Sequence, residues 1–483
     1  MMKQTDFINL LSCQTIKSNC CGNLTELQKI TADSREVMSG SVFFCVKGHN
    51  TDGHDFIESA FKKGASLVVG EKECGMKNYI RVRSVKEALH DVLPAFYDFP
   101  DRKMKMLGVT GTNGKTSTTF ILENILKDDL SCGIIGTLNY RYAGKVIPAQ
   151  NTTPLNWKWY SLIDDMQKSG VEAVISEVSS HALAENRIEN TMFDAAIFTN
   201  LTRDHLDFHK TFENYYQAKK KLFTEHLKNG GTAVINIDDE AGKRLSEELG
   251  NVKQVRISAK DKSAELFVKI LDVHDSGSKV VFNTGGFSKI VDIPLVGKFN
   301  IYNTAGAFAA ASLFIGIKQA FERIGNNLFV PGRLEKVGQH AVYIDYAHTP
   351  DAMENVLKTL REVGIYEKII IVFGAGGDRD SGKRPLMGET ACRFADRIIV
   401  TDDNPRTEEP AKIIEDILAG CPKDADVTVV NDRAEAIRKA VEMKGEKDVV
   451  LIAGKGAEDY QITKSGKKFF SDRLEAEKSL RER

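Results

Sequence analysis

The stretch Gly108-Val-Thr-Gly-Thr-Asn-Gly-Lys-Thr116 is the most informative part of this 483-residue sequence. It extends the apolar segment Met104–Val109, which we predict to be a buried strand, and it opens a helical stretch over about 115–127. Glycines at such a turn let backbone N–H groups approach phosphate oxygens, and the N-terminus of the following helix favours negative charge. The stretch therefore predicts a nucleotide site in an α/β fold.

Two side chains of this loop suit a nucleoside triphosphate and its metal ion. Lys115 can reach the β- and γ-phosphates, and the Thr116 hydroxyl can hold Mg²⁺. The strict pattern has glycine where this chain has Val109, so Gly111 and Gly114 are the turn residues of a variant loop. Because switches, motors and kinases carry similar loops, the loop alone does not indicate a reaction.

Two further motifs follow predicted strands of the middle region. Glu177 comes directly after the apolar run Ala173–Ser176, where a carboxylate can ligate Mg²⁺ or orient water, although a helix N-cap at Ser179 fits the same pattern. His205, in the polar cluster after the run Ala195–Thr199, fits a metal ligand or a surface histidine. Neither motif identifies the chemistry by itself.

The last third of the chain alternates apolar strands with helical stretches, which predicts βαβ units in a doubly wound sheet. The predicted strands are 341–346, 368–373, 397–401 and 449–453. The polar groups that follow them are Asp345 and His348, Asp378 and Arg379, Asp403 to Arg406, and Lys455 to Glu458. Because ligands bind beyond the carboxyl ends of such strands, neighbouring strands would bring these groups to one edge.

Three regions separate by pattern, and we predict one domain in each. The boundaries lie at the proline-containing stretch Asp98-Phe99-Pro100-Asp101 and at Pro331-Gly332. The predicted domains are 1–98, 99–330 and 331–483.

The bulk composition excludes several classes of protein. The formal net charge is −1, so no field of one sign is available to attract nucleic acid or a membrane surface. The eight cysteines form no C-x-x-C pair, which argues against a structural zinc and fits a reducing cytosol. No apolar run approaches a membrane span of about 18 residues, and the segment before Cys13 is too short for a signal peptide. We therefore expect a soluble, cytoplasmic protein.

Together, the motifs TGTNGKT (110–116), EVSSH (177–181) and TNLTRDHLD (199–207) resemble the Mur ligase family in their order and intervals. The resemblance covers essentially the whole chain and continues in GKFNIYNTAGA (297–307), PGRLE (331–335) and DYAHTPD (345–351). It implies three α/β domains that bind a UDP group, ATP and an amino acid in turn, with a central phosphate-loop ATPase domain and a C-terminal Rossmann-like doubly wound sheet. It also implies γ-phosphoryl transfer to a substrate carboxylate, followed by attack of an amine on the acyl phosphate.

The resemblance assigns roles residue by residue. The ATP contacts that it implies are Thr110, Gly111, Thr112, Asn113, Gly114, Lys115 and Thr116, with Asn303, Arg333 and Asp345 at the adenosine. The implied magnesium ligands are Thr116, Glu177, His205 and Lys219, and the implied catalytic residues are Lys115, Glu177, His205 and Lys219. Lys219, in Ala218-Lys-Lys-Lys-Leu-Phe223, matches a lysine that these ligases carry as a carbamate, although a solvated basic run fits the local pattern too.

Two motifs resemble the substrate sites of the family members that add the third amino acid. They are Thr31-Ala-Asp-Ser-Arg35 and Asn151-Thr-Thr-Pro154. The implied contacts to UDP-muramoyl-dipeptide are Ser34, Asn151, Thr152, Thr153, Ser179, Glu185 and Arg187. Glu185 departs from the family pattern, because many members carry Gln there and a carboxylate cannot donate as an amide does.

The segment Asp403-Asn-Pro-Arg406 accompanies meso-diaminopimelate as the added amino acid in this family. Diaminopimelate carries a second carboxylate, which a guanidinium fork binds bidentately, whereas lysine would bring a cation to Arg406. A structural arginine after a proline turn is the alternative. The implied diaminopimelate contacts are Arg379, Asp403, Asn404, Pro405, Arg406, Gly454 and Glu458, with Glu458 on the distal ammonium.

The resemblance therefore implies an ATP- and Mg²⁺-dependent ligase that joins meso-diaminopimelate to UDP-N-acetylmuramoyl-L-alanyl-D-glutamate. Such a reaction belongs to peptidoglycan synthesis, and so to cell-wall biogenesis, cell shape and cell division. The alternatives are a lysine-adding member of the family, a folylpolyglutamate synthetase and a nucleotide-binding sensor without ligase activity. We expect a monomer without nucleic-acid partners or membrane insertion, and no general base is evident from the sequence.

Overall fold

A computed structural model describes residues 2–20, 26–48, 51–325 and 328–483. Within these ranges three main β-sheets follow one another along the chain, each with flanking helices, which confirms the predicted fold class. The boundaries at 98/99 and 330/331 stay predictions. In the same ranges no helix combines the length and apolar character that a membrane crossing requires. Cys21 lies outside the described residues, and the other cysteines are free thiols.

The first sheet packs its apolar face on a capped helix. Its strand order is Thr15–Ser18, Tyr79–Val82, Ala65–Gly70, Ser41–Phe44 and Lys29–Thr31. The helical segments are Gln4–Leu10, Gly53–Phe56, Ile57–Lys62, Val85–Phe96 and Pro100–Arg102, and a short ladder pairs Met2–Lys3 with Glu26–Leu27. Ser84 begins the third of the α-helices by accepting a hydrogen bond from the Glu87 N–H, so its apolar side faces the sheet.

The second sheet is the largest in the described part of the chain. Its strand order is Lys145–Pro148, Asn139–Tyr142, Cys132–Ile135, Ala173–Glu177, Lys105–Thr110, Phe193–Phe198, Leu227–Asn236, Lys253–Ser258, Leu266–His274, Gly277–Thr284 and Phe287–Ile293. The associated helices are Lys115–Leu126, Asn156–Lys168, Ser180–Ala184, Leu206–His209, Phe212–Thr224, Glu240–Glu248, Lys298–Ile315 and Ile317–Arg323. The antiparallel strands at both edges were not predicted, because alternating half-buried strands carry a weaker apolar signal than buried parallel ones.

Three parallel strands at the centre of this sheet carry the predicted motifs. Ala173–Glu177 and Phe193–Phe198 flank Lys105–Thr110 on either side. In the ladders Glu177 lies opposite Val109 and Phe198 lies opposite Thr110, so the strands end level. Glu177, the phosphate loop and the polar cluster after residue 198 therefore leave the sheet at one edge.

The third sheet confirms the predicted βαβ alternation. Its strand order is Glu335–Lys336, Val342–Asp345, Val449–Ala453, Ile369–Phe373, Arg397–Val400 and Val427–Val429. The helices are Pro350–Glu362, Lys383–Phe394, Pro410–Leu418, Arg433–Met443 and Asp472–Glu482, and a hairpin pairs Tyr460–Thr463 with Gly466–Phe469. The strands that precede the predicted polar groups are parallel neighbours, so those groups share one edge.

Candidate functional site

A cavity of about 760 Å³ is lined by loops of the second sheet and by residues 333–362 of the third region. The predicted site residues in its lining are Thr112, Asn113, Gly114, Lys115, Thr116, Asn151, Thr152, Glu177, Ser179, Arg187, His205, Lys219, Asn303, Arg333 and Asp345. Those outside the lining are Thr110, Gly111, Ser34, Thr153, Glu185 and the whole predicted diaminopimelate set. The structure thus gathers most of the predicted nucleotide residues and separates them from the predicted amino-acid site.

Neighbouring side chains hold the phosphate loop (residues 110–116) in shape. Gly114 has a φ of +87°, and a Cβ there would lie 2.3 Å from Asn303 Oδ1, so the position requires glycine. Asn200 Oδ1 accepts a hydrogen bond from the Asn113 N–H at 3.0 Å. The helix Lys115–Leu126 begins without a side-chain cap, which leaves its first N–H groups available to an anion.

Two lysine amines converge on one carbonyl oxygen of this loop. Lys115 Nζ lies 2.8 Å and Lys219 Nζ 2.7 Å from Gly111 O. Lys219 is 1% exposed, and its amine also lies 4.7 Å from the centre of the Tyr215 ring. Burial, reinforced by the charge of Lys115, holds the pKa of Lys219 well below its ordinary value. Lys219 is therefore a buried amine biased toward its neutral form.

The helix that carries Lys219 explains why this lysine is buried. Thr211 begins Phe212–Thr224 by accepting a hydrogen bond from the Asn214 N–H at 3.1 Å. Tyr215, Lys219 and Leu222 are spaced three and four residues apart, so they lie on the helix face that meets the sheet. The run of three lysines is thus divided, since only its first member is buried.

Glu177 ends its strand as a buried carboxylate beside the phosphate loop. Its oxygens accept hydrogen bonds from the Thr116 hydroxyl at 3.1 Å and from the Thr137 N–H at 3.0 Å. Ser179 caps the helix Ser180–Ala184 by accepting from the Ala182 N–H at 3.2 Å. The capping alternative therefore holds for Ser179 and leaves Glu177 free for another role. A hydroxyl next to a carboxylate is a pair of oxygen donors that suits Mg²⁺.

His205 lies at the mouth of the cavity with a φ of +53°. Its imidazole is 46% exposed, with Nε2 3.4 Å from Asp204 Oδ2 and its ring centre 4.8 Å from that of His181. Among the described residues, no three His, Cys, Asp or Glu side chains are arranged to hold a metal ion. The four predicted magnesium ligands thus line one cavity. Their binding to a common magnesium ion stays a prediction.

The predicted adenosine residues lie where the second and third regions meet. Arg333 Nη2 lies 3.3 Å from Thr116 Oγ1, and its guanidinium carbon lies 4.8 Å from the centre of the Tyr346 ring. Asp345 accepts hydrogen bonds from the N–H groups of Leu334 and Ala347, and burial raises its pKa against the opposing effect of Arg333. Asp345 therefore shapes the chain on either side of Arg333 as well as lining the cavity.

The predicted substrate motif of the first sheet lies apart from this cavity. Arg35 binds Asp33 at 2.7 Å and lowers the pKa of that carboxyl to about 2, while the Ser34 carbonyl accepts a hydrogen bond from Lys63. Such local pairing fixes the turn but creates no contact with the phosphate loop. Ser34 could therefore reach only a ligand that extends beyond the cavity.

The other predicted muropeptide residues form one hydrogen-bonded group. The buried Thr153 hydroxyl donates to Glu177 O at 2.8 Å and accepts from the Ser179 N–H. Glu185 pairs with Arg187 at 2.7 Å, and Arg187 also donates to Thr153 O at 3.1 Å. Thr153 lies outside the cavity because it is buried and its hydroxyl binds backbone groups. Glu185 lies outside because it is exposed and pairs with Arg187.

The predicted diaminopimelate residues gather at the carboxyl edge of the third sheet. Arg406 Nη1 donates to Gly377 O at 2.7 Å, and the Arg406 N–H donates to Ile462 O at 3.1 Å. In the described ranges this guanidinium forms no ion pair with a carboxylate, and Arg379 on the adjacent loop is exposed and likewise unpaired. A ligand carboxylate could therefore meet two guanidinium groups that have no carboxylate partner among the described residues.

A buried lysine organises the remainder of this edge. Lys455 is fully buried, and its Nζ lies 3.1 Å from Asp403 Oδ1, 3.1 Å from Asn404 Oδ1 and 3.8 Å from Glu458 Oε2. Burial alone would raise the pKa of Asp403, but the charges of Lys455 and Arg433 outweigh it and lower that pKa. Burial raises the pKa of Glu458. Lys455 was not among the predicted site residues, although the sequence placed it after a strand.

Arg384 was also missed by the sequence reading. It is 1% exposed, and its guanidinium donates to Glu408 at 2.9 Å, to Asp416 at 2.8 Å and to Gly376 O at 3.2 Å. These contacts join the loop of Arg379 to the segment that follows Arg406. No local sequence signal could have revealed them, because the partners come from three different elements.

Known proteins resemble the chain over nearly its whole length. Family models match as "Mur ligase family, catalytic domain" over residues 26–97, "Mur ligase middle domain" over 109–311 and "Mur ligase, glutamate ligase domain" over 332–456. A curated relative from Clostridium tetani, UDP-N-acetylmuramoyl-L-alanyl-D-glutamate--2,6-diaminopimelate ligase, is 41% identical, and the alignment covers 94% of each chain. A solved structure of an enzyme of that name is 30% identical, with a TM-score of 0.67 over 100% of this chain and 99% of its own. The MurF ligase from Thermotoga maritima in complex with ADP shares the fold, with a TM-score of 0.64 at 20% identity over 95% of this chain and 96% of its own.

Proposed function

Because this chain belongs to the Mur ligase family, we propose that it joins meso-diaminopimelate to UDP-N-acetylmuramoyl-L-alanyl-D-glutamate in an ATP-dependent reaction. The observation that carries the proposal is the 41% identity, over 94% of the chain, to a relative named for this ligation. The reaction is a step of peptidoglycan synthesis. A cytoplasmic monomer is part of the proposal, as are the domain boundaries after residues 98 and 330.

Two chemical steps account for the ligation. A carboxylate oxygen of the D-glutamyl residue attacks the γ-phosphorus of ATP, and the bond to ADP breaks. The amine of diaminopimelate then attacks the acyl-phosphate carbon, the C–N bond forms, and inorganic phosphate leaves as the amine loses a proton. Catalysis of phosphoryl transfer depends mainly on positioning and on stabilising negative charge.

The phosphate loop and the segment that begins after residue 330 would hold ATP. Residues 110–116 present uncapped helix N–H groups and Lys115, while Arg333 reaches the same loop from the third region. Asn303 packs against Gly114, and Asp345 accepts a hydrogen bond from the backbone N–H of Leu334, next to Arg333. These contacts support roles for the loop in binding the phosphates and for Asn303, Arg333 and Asp345 around the adenosine.

The oxygen donors beside the phosphate loop fit a magnesium site. The Thr116 hydroxyl and the buried Glu177 carboxylate touch, and His205 and Lys219 line the same cavity. Bound there, Mg²⁺ would offset the negative charge of the phosphates. The proposed ligands are Thr116, Glu177, His205 and carbamylated Lys219.

Lys219 has the environment that carbamate formation requires. Its neutral amine can attack the carbon of CO₂, forming an N–C bond and releasing one proton, which leaves an anionic carbamate. Lys219 is buried, and burial together with the charge of Lys115 holds its pKa well below the ordinary value against the smaller opposing effect of Asp204. An anion at this position would be attracted to the Lys115 ammonium, which favours the modification.

The muropeptide would extend from the cavity toward the first sheet. Asn151, Thr152, Ser179 and Arg187 line the cavity on the side of Glu177, where the peptide carboxylate must meet ATP. Thr153 and Glu185 would act through Arg187, which both contact. Ser34 lies outside the cavity and suits the distant UDP end of the substrate.

The edge of the third sheet offers complementary charges to diaminopimelate. Arg406 and Arg379 would bind its distal carboxylate, and Glu458 would bind its distal ammonium. Asp403 and Asn404 contact Lys455 and Glu458, so they fix the geometry of this edge. Pro405 is buried between them and Arg406, and Gly454 leaves room for Asp403, since a Cβ there would lie 3.0 Å from Asp403 Oδ2.

Phosphate release and product mass test the function together. Purified protein would be given ATP, Mg²⁺ and UDP-N-acetylmuramoyl-L-alanyl-D-glutamate, with meso-diaminopimelate or L-lysine in parallel reactions. We expect phosphate and a product heavier by one diaminopimelyl residue in the first reaction alone. Product with lysine alone would contradict the assigned amino acid and keep the ligase. The absence of phosphate release with either amino acid would contradict the proposed reaction. So would phosphate release only when glutamate replaces them.

A further inference from the structure

Asp351 touches two loops of the second sheet from the third region of the chain. Its Oδ2 accepts hydrogen bonds from Asn113 Nδ2 at 3.1 Å and from the Thr202 hydroxyl at 3.0 Å. Asn113 belongs to the phosphate loop, and Thr202 lies in the segment that leads to His205. One carboxylate oxygen therefore joins the third region to both loops that surround the nucleotide site.

The two loops keep their shape without help from Asp351. The Thr202 N–H donates to Thr112 Oγ1 at 3.0 Å, and the Thr199 hydroxyl donates to Asn113 O at 2.6 Å. The Thr112 hydroxyl also contacts the Tyr215 hydroxyl at 3.1 Å. Hydrogen bonds within the second region already fix the shape of the loops. The Asp351 contact therefore serves to fix the position of the third region relative to them.

The helix that carries Asp351 holds this carboxylate firmly. Asp351 is in the first turn of Pro350–Glu362, whose N-cap Thr349 accepts a hydrogen bond from the Ala352 N–H at 3.3 Å. A negative charge is favoured at this end of a helix, and Asn355 Nδ2 donates to the same carboxylate oxygen at 3.2 Å. The side chain is thus oriented from its own helix and is a rigid contact point.

We infer that Asp351 is a positioning residue that fixes the third region against the phosphate loop for the ligation step. Arg333 reaches Thr116 across the same boundary, and the helix Pro350–Glu362 packs on the third sheet, which carries the amino-acid edge, so the helix and that edge should move together. The inference rests on the proposed function, in which an amine held by the third region must meet a carboxyl phosphate formed at the second. Misplacement by about 1 Å lowers such a rate about 100-fold.

Other contacts across the boundary limit the expected effect. Lys336 Nζ pairs with Asp275 at 2.6 Å, and the Tyr343 hydroxyl donates to Asp275 O at 2.8 Å, so the regions remain attached when Asp351 is removed. The loss should therefore appear in the rate of ligation rather than in folding. Binding of diaminopimelate should change little, because Arg406 lies outside the cavity that Asn113 and Thr202, the partners of Asp351, help to line.

Kinetics of three variants test this inference. We expect Asp351→Ala to lower kcat for ligation by about 10- to 100-fold, with KM for diaminopimelate within about twofold of the wild-type value. Asp351→Asn keeps an acceptor oxygen and should recover part of the loss. Glu354→Gln, on the same helix and paired with Lys358, is the matched control and should keep the wild-type kcat. A kcat for Asp351→Ala within twofold of wild type would overturn the inference.

A second measurement does not depend on the identity of the amino acid. Small-angle X-ray scattering with a non-hydrolysable ATP analogue and Mg²⁺ reports the arrangement of the three sheets. Because the contacts of Lys336 and Tyr343 leave the third region attached but freer to rotate once Asp351 is removed, we expect a larger radius of gyration for Asp351→Ala than for wild type or Glu354→Gln, with an unchanged melting temperature. If wild-type protein fails to ligate diaminopimelate but this difference remains, the reaction is wrong and the positioning role stands. Equal radii for all three proteins would overturn the positioning role.

Discussion

Two buried lysines at opposite ends of the site have the same burial and different surroundings. Lys455, at the edge of the third sheet, is 0% exposed and lies 3.1 Å from Asp403. Lys219, below the phosphate loop, is 1% exposed, and its amine meets a carbonyl oxygen, an aromatic ring and the charge of Lys115. Burial disfavours a charged amine in both places, but of the two only Lys455 has a described carboxylate within ion-pair distance, whereas the charge of Asp204 opposes the shift at Lys219 only in part.

The charged groups around a buried lysine, rather than its burial, therefore decide what the lysine does. Around Lys455 the charges compensate one another, so the lysine joins the loops that would hold diaminopimelate. Around Lys219 burial and the charge of Lys115 hold the pKa of the amine well below its ordinary value, which favours the neutral form that can react with CO₂. A structural lysine and a modified lysine thus follow from one physical rule.

The largest effect is expected from removal of the uncompensated lysine. Lys219→Ala should lower ligation activity about 100- to 1000-fold, because the site loses the anionic carbamate that would help to bind Mg²⁺. Formate or acetate at high concentration should restore part of the activity by supplying a carboxylate to the vacated space. Lys220→Ala is the control, since Lys220 pairs with Glu248 at 2.9 Å and should be dispensable. Full activity of Lys219→Ala in steady-state assays would break the comparison.

Removal of the compensated lysine should instead affect stability. Lys455→Met leaves Asp403 buried without its partner, so the free energy of unfolding should fall by about 3–5 kcal/mol. Lys464→Met, which breaks an exposed pair with Glu409, should change it by less than about 1 kcal/mol. Urea denaturation followed by circular dichroism measures both. A loss below about 1 kcal/mol for Lys455→Met would show that the buried pair does not stabilise the sheet edge.

Arg406 extends the comparison to a charge whose partner is the substrate. Arg406→Lys keeps the charge but loses the planar fork, so KM for diaminopimelate should rise about 10- to 100-fold while KM for ATP stays within twofold. Arg397→Lys is a control on the same sheet, because Arg397 faces Asp426. Equal rises in both KM values would assign Arg406 a structural role only.

The smallest effect concerns His348, a further basic group that forms no ion pair with a described carboxylate. Burial lowers its pKa to about 4, and its Nδ1 lies 2.8 Å from Tyr346 O. Because the unfolded chain binds the proton more tightly, the free energy of unfolding should fall as the pH drops from about 6.5 toward 4, by up to about 1.4 kcal/mol per pH unit. Urea titrations at pH 7 and pH 5 should show a smaller fall for His348→Gln. Identical falls would mean that folding does not lower the pKa of His348.

The sequence predicted the parallel strands well because their apolar runs are continuous. The runs at 397–401 and 449–453 became the strands Arg397–Val400 and Val449–Ala453. Glu177 and the phosphate loop also lie where strand ends place them. What sequence reasoning could not find depends on distant pairings, such as the contact between Asn113 and Asp351, which are 238 positions apart.

Burial of single polar residues was equally beyond local pattern. Lys219, Lys220 and Lys221 look alike in sequence, and only the helix face that meets the sheet separates the first from the others. Arg384 and Lys455 are buried because carboxylates from other elements surround them. The motif around Ser34 was recognisable, but the distance between it and the cavity is a property of how the first sheet is placed.

The most direct measurement is carbon-13 NMR of the protein incubated with ¹³C-labelled bicarbonate. We expect one carbamate carbon signal in wild-type protein and its loss in Lys219→Arg, whose guanidinium cannot capture CO₂. A wild-type spectrum without a carbamate signal, or one that persists in Lys219→Arg, would contradict the claim that the lack of a carboxylate partner makes Lys219 the reactive lysine.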